Sequence, residues 1–216
     1  YDEGFYKDLV VPFEGVEKDN IIRHDSTIQK LASLKTVFDK GVNATLTPGN
    51  STSLTDGSAA VLLASDEWAN KNNLDIESYI TSFEIAAVNY IDNEGLLMAP
   101  AYAVSEMLKK QNLNLQDFDF YEIHEAFAAQ TLATINAWKS EEFCKSKLER
   151  EKVMGSFDHN KLNVKGGSLA IGHPFAATGA RIVATLSKLL KDNGGGKGLI
   201  SICTAGGMGI TAILER

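Results

Sequence analysis

Three positions pair a reactive side chain with small or turn-forming neighbours that would expose it: His124 in HEAF, His173 in GHPFAATG and Cys203 in CTAGGMG. Taken singly, each has an ordinary structural use, because a lone histidine is more often a scaffold group and a cysteine at a strand end packs as a small hydrophobe. Their surroundings alter that balance. Gly172 and Pro174 fix the backbone on either side of His173, while Ala176, Ala177 and Gly179 leave room for a ligand to approach. Cys203 precedes Ala205, Gly206 and Gly207, whose backbone N–H groups can converge on one point as an oxyanion hole does. A thiol beside such donors, with an imidazole near, can lose its proton and serve as a base. The chemistry on offer is proton transfer.

Other chemistries fall away. GGGKG at 194–198 lacks the spaced first glycine and the hydroxyl residue after Lys197 that a phosphate-binding loop needs, so it reads as a turn. HEAFA has no second histidine four residues on, which removes a zinc-protease site, and Cys144 and Cys203 form no CxxC pair. The net charge of −7 and the absence of a Lys/Arg block argue against nucleic acid as a partner. No apolar run approaches the roughly 18 residues of a membrane span, and the opening YDEGFYKDLVVPF shows no signal-peptide pattern. Two unpaired cysteines suit a reducing compartment, with the cytoplasm, or an organelle after loss of a targeting segment, as the expected location.

The elements that must position these residues alternate strand and helix. Ser26 as cap, Gln29 and the apolar Leu31, Leu34 and Phe38 predict a helix ending near Lys40-Gly41. The polar stretch 45–57 predicts an ordered loop, and AAVLLA at 59–64 a buried strand. Asp66 is expected to cap a short helix, and 79–88 reads as a strand. Pro100 marks the first turn of a helix with one buried face. A strand at 118–123 places His124 at a strand-to-helix junction, and the charged residues 140–160 read as a surface insertion containing a helix. A glycine-rich loop then feeds a helix through Leu190, and a terminal hairpin closes the chain. The fold class is α/β, a mixed sheet with helices on both faces.

In order, TPGNSTSLTDGSAA, HEAFAAQ, NVKGGSLAIGHPFAATGARI and CTAGGMG resemble the thiolase family, and within it the 3-ketoacyl-CoA thiolases of fatty-acid β-oxidation. HEAF where NEAF is commoner, the wording HPFAATG and the insertion at 140–160 resemble the type that partners a multifunctional β-oxidation α-subunit. The resemblance implies a thiolase fold of layered mixed sheets with two βαβαβαββ halves. Residues 1–72 would be the end of the loop region and the N-terminal half, and 73–216 the C-terminal half. No position matches the family's acyl-accepting cysteine, which is expected in a segment before Tyr1, so this chain alone is expected to be inactive.

By the same resemblance His173 would deprotonate that cysteine, Cys203 would exchange a proton with the α-carbon of acetyl-CoA, and His124 with His173 would hold the enolate oxygen. The Ala205 N–H, with Gly206 beside it, matches the donor to the other carbonyl. Thr52 matches a serine near the pantetheine amide and Phe127 an aromatic wall of the coenzyme A tunnel, although loop capping and core packing explain them equally. Coenzyme A and acyl-CoA would be substrates, with no metal or redox cofactor, in a homodimer or tetramer. Two other readings stay open: a biosynthetic acetoacetyl-CoA thiolase, and a truncated, non-catalytic module for binding or assembly.

Overall fold

A computed structural model describes residues 1–216. Four strands form one sheet: β1 (Tyr79–Ala87), β2 (Phe120–Ile123), β3 (Lys197–Thr204) and β4 (Met208–Glu215), in the order β1-β4-β3-β2. β4 runs antiparallel to both β1 and β3, whereas β2 and β3 are parallel, so the sheet is mixed as expected. The β3–β4 hairpin turns at residues 205–207, where Gly207 has φ +76° and a Cβ would lie 2.5 Å from the Val88 carbonyl oxygen. Only glycine fits there.

Alternation along β3 and β4 sends successive side chains to opposite faces. Leu199 and Ile213 join the larger core cluster with Val104 and Met107 of α3 (Ala99–Gln111), while Ile200 and Leu214 join Ile182 and Leu186 of α7 (Thr178–Asp192) on the other face. Helices therefore cover both faces. α4 (Ala128–Lys139) packs on α3 through the fully buried Trp138, whose indole N–H donates to the Ala101 carbonyl at 3.2 Å.

The segment 140–160 departs from the surface insertion expected. It does hold a helix, α5 (Glu141–Ser146), but Cys144, Leu148, Met154 and Phe157 are buried in the same cluster as Trp138. Its charges mask apolar residues at spacings that close over the core. The edge of β2 is covered as well: Leu162 bridges to Tyr121, and the Asn163 amide bonds both the N–H and the C=O of Ile123 at 2.9 Å. A side chain here stands in for a strand.

Two predicted elements differ more. The expected helix from Ser26 to Lys40 is one short turn, α1 (Ile28–Ala32), capped by Thr27. No residue of it is buried, and without a buried face a helix of that length does not hold. The run 59–64 is not a strand, and Leu62 and Leu63 are 72% and 68% exposed. A strand needs a neighbour for its N–H and C=O groups, and residues 59–64 make no backbone hydrogen bond to any other segment. α2 (Asp66–Lys71) forms as expected, although Ser65 rather than Asp66 caps it, leaving Asp66 and Glu67 in the first turn. No helix is long and apolar enough to cross a membrane.

Candidate active site

Three loops meet beyond the end of β2. The first is the polar segment around residues 50–57, docked on the HEAF segment by an isolated antiparallel bridge between Ser51 and Phe127. Thr52 N–H donates to the Ala126 carbonyl at 3.0 Å and Ala128 N–H to the Asn50 carbonyl at 2.9 Å. The third loop, 165–177, contains a short helical turn, α6 (Ser168–Ile171), where only loop was expected. It is tied to the first loop by the Thr52 hydroxyl, which donates to the Ser168 carbonyl at 2.7 Å, and by His173 N–H to Ser53 at 3.3 Å. Gly172, at φ +88° and ψ −178°, sits where a Cβ would lie 2.5 Å from Thr55 Cγ2. That glycine is what lets the loops close.

The closure brings His124 and His173 together, with ring centroids 4.2 Å apart and planes tilted by 49°. His124 follows β2 directly and is buried; its Nδ1 lies 2.8 Å from the Ser168 hydroxyl. Burial, then the neighbouring His173 and Arg181, hold its pKa down at about 3, so the ring is neutral at ordinary pH. His173 precedes α7 and is half-buried, its Nδ1 2.6 Å from the Thr178 hydroxyl. The Thr178 hydroxyl donates to the Pro174 carbonyl at 3.3 Å, so its oxygen is free to accept a hydrogen bond from Nδ1–H of His173. Burial, then Arg181, lower the His173 pKa too. Neither Nε2 has a hydrogen-bond partner within the chain. Two neutral rings with free Nε2 atoms can donate to, or take protons from, a bound group.

Cys203, next to last in β3, is 8% exposed. It shares a small cavity with His124, Ser201, Thr131 and Thr134 at the foot of α4, of which His173 is not a lining residue. Burial pushes the Cys203 thiol up to about 11, against smaller lowering by the backbone N–H groups of Cys203 itself and Ala126. The resting group is therefore a protonated thiol, which suits an acid first and a base once it has given up that proton. Ala205 and Gly206 form the exposed tip of the hairpin. Phe127, partly buried, meets Phe38 edge to face at 5.5 Å, which joins the first segment of the chain to the site by an apolar contact. Cys144 is buried in the core with its Sγ 3.4 Å from the Trp138 carbonyl, out of reach of any substrate. No group of three or more His, Cys, Asp or Glu side chains is placed to hold a metal ion.

Several residues behind the histidines went unread in the sequence. Ser168 also accepts from Arg181 Nη2 at 3.0 Å. Glu125 accepts from Leu169 N–H at 3.3 Å, at the start of α6. Glu122, on β2, is buried with one carboxylate oxygen unpaired, and burial raises its pKa to about 8 against the lowering effect of Arg181. Charged residues in a short apolar strand and on an apolar helix face are the signal available for Glu122 and Arg181. Ser168 carries none.

Comparison with known proteins is decisive for the family. A model of the thiolase C-terminal domain matches residues 74–216, and one of the thiolase N-terminal domain matches residues 1–67. The chain belongs to the thiolase family. A 3-ketoacyl-CoA thiolase of Shewanella sediminis is 44% identical over 207 residues, covering 95% of this thiolase chain and 47% of that protein. Another of the same name, from Shewanella loihica, is 41% identical across 100% of this chain and 50% of its own. The chain thus spans about half the length of the curated relatives it matches. Among solved structures, the dimeric peroxisomal thiolase of Saccharomyces cerevisiae superimposes with a TM-score of 0.82 at 35% identity, covering 100% of this chain and 50% of that one. Human mitochondrial 3-ketoacyl-CoA thiolase in complex with CoA gives 0.79 at 31% identity, with the same coverage of each. The architecture is that of the thiolase fold.

Proposed function

We propose that this chain supplies the acid/base half of a 3-ketoacyl-CoA thiolase active site, with residues 1–72 belonging to its N-terminal half and 73–216 forming its C-terminal half. The observation that carries the reading is the pair of neutral imidazoles 4.2 Å apart, one of which shares a cavity with a protonated thiol. The names of the relatives support the 3-ketoacyl choice, and the CoA complex of the human structure supports coenzyme A as ligand.

The reaction follows from thioester chemistry. His173 takes the proton of an acyl-accepting cysteine that lies outside this chain, and the thiolate attacks the 3-keto carbon. The bond between C2 and C3 breaks, leaving the acyl group on that cysteine and the electron pair in the enolate of acetyl-CoA. Cys203 gives its proton to the α-carbon, then regains one as the thiol of incoming coenzyme A is deprotonated. That coenzyme A sulfur attacks the acyl-enzyme, releasing the shortened acyl-CoA and expelling the cysteine thiolate, which takes its proton back from His173. Nε2 of His124 and of His173 hold the enolate oxygen, and the Ala205 N–H holds the second carbonyl. Thr52 and Phe127 flank the path of the pantetheine. The protein acts as an oligomer in this reading, in keeping with the dimeric yeast relative.

The test is steady-state cleavage of a 3-ketoacyl-CoA by the intact protein. His173→Ala and Cys203→Ala are each expected to lower kcat at least about a hundredfold, the scale of a lost acid/base group. A near-normal rate in either variant removes that residue from the mechanism.

A further inference from the structure

We infer that Arg181, acting through Ser168, is a positioning residue that holds His124 in the tautomer with its proton on Nε2. The inference rests on the donor role proposed above for His124 and identifies what secures that role. The Ser168 hydroxyl is fully buried and touches two groups, Arg181 Nη2 at 3.0 Å and His124 Nδ1 at 2.8 Å. A guanidinium has donors only, so Arg181 donates to Ser168 Oγ. The one proton of the hydroxyl is then left with a single acceptor in reach, Nδ1 of His124, which presents its lone pair. A neutral imidazole that accepts at Nδ1 carries its proton at Nε2.

The reverse arrangement is the costly one. With a proton on Nδ1, Ser168 Oγ would receive two donors, and its own proton would be stranded in a buried setting without an acceptor. The same surroundings keep the ring from accepting a second proton, through burial first and then the nearby His173 and Arg181. Arg181 is placed for this by the first turn of α7, next to the buried Ile182, and the charges of Glu122 and Glu125 answer it from β2 and the HEAF segment. The guanidinium thus orients a hydroxyl, and the hydroxyl orients a ring. Arg181 and Ser168 act only through His124.

The tautomer can be read directly. In the intact protein labelled with 15N-histidine, two-bond 15N–1H correlation spectra at neutral pH without substrate should show His124 as Nε2–H, assigned by loss of its signals in His124→Asn. The chain contributes four histidines, and His24 and His159 are exposed, so the signals of the buried ring stand apart. Ser168→Ala should move His124 towards a mixture of tautomers and lower kcat at least about tenfold, less than outright loss of an oxyanion donor. Ser168→Thr keeps the hydroxyl and should restore both. Arg181→Gln, whose amide can accept as well as donate, should loosen the preference. A proton on Nδ1 of His124 in the unsubstituted protein overturns the inference even if a variant fails to fold, as does an unchanged Nε2–H spectrum in Ser168→Ala. Because the spectrum is read without turnover, its outcome is separate from that of the His173→Ala rate, which tests the proposed reaction itself.

Discussion

Two adjoining stretches, the loop 45–57 and the run 59–64, behave opposite to their composition. The loop is polar and rich in Thr, Ser and Gly, yet backbone and side-chain bonds hold it to the HEAF segment and to Ser168. The run AAVLLA is apolar and strand-like, yet it lies unpaired with Leu62 and Leu63 exposed. What separates them is the supply of partners. The loop finds fixed carbonyls and N–H groups presented by the HEAF segment, α4 and the 165–177 loop, whereas the run makes no backbone hydrogen bond, and apolar character alone cannot satisfy a backbone.

The sharpest way to break the docked side is Gly172→Ala. The left-handed extended backbone of Gly172 costs an alanine about 1–3 kcal/mol, and overlap with Thr55 adds about 1–3 more. Urea denaturation of the chain is expected to show a combined loss of about 2–6 kcal/mol, with His173 displaced from His124. Acid loosens the same region more gradually. Unfolded His124 binds a proton below its ordinary value of 6.5 but the folded ring only near 3, so the unfolded state holds more protons between them. Stability should fall as pH drops from about 6.5 towards 3, at up to about 1.4 kcal/mol per pH unit, and His124→Asn should remove that part of the slope.

Thr52→Val, which deletes the bond to the Ser168 carbonyl, should cost about 1 kcal/mol in the same measurement. Leu62→Ser, on the undocked side, should change the stability of this chain by less than about 0.5 kcal/mol. A large effect at Leu62 would mean that the run has a partner in solution, and the contrast between the two stretches would fail.

The same contrast shows what can be read from sequence. The strands at 79–87, 120–123, 197–204 and 208–215 were legible because each also pairs within the chain, so local pattern and tertiary context agree. Pro100 marked the start of α3 for the same reason. The helix past Ala32 and the strand at 59–64 failed where local preference had no surface to pack on. In the site, His124, His173 and Cys203 stood out by residue type and neighbours. Ser168 and Arg181 did not, because their bonds join positions 44 and 13 residues apart, and no local pattern records a contact of that range. The burial of the Cys203 thiol was likewise not recorded in its local neighbours. Its glycine-rich neighbours suggested activation, whereas its depth in the fold keeps the proton on sulfur.

The central claim is that Cys203 exchanges a proton with the α-carbon of acetyl-CoA while the imidazoles hold the enolate. Deuterium uptake into the methyl group of acetyl-CoA in D2O, followed by mass spectrometry, tests this without any carbon–carbon bond being cut. The intact protein should catalyse the exchange, and Cys203→Ala should slow it at least about a hundredfold. Exchange at the unsubstituted rate in Cys203→Ala would contradict the account.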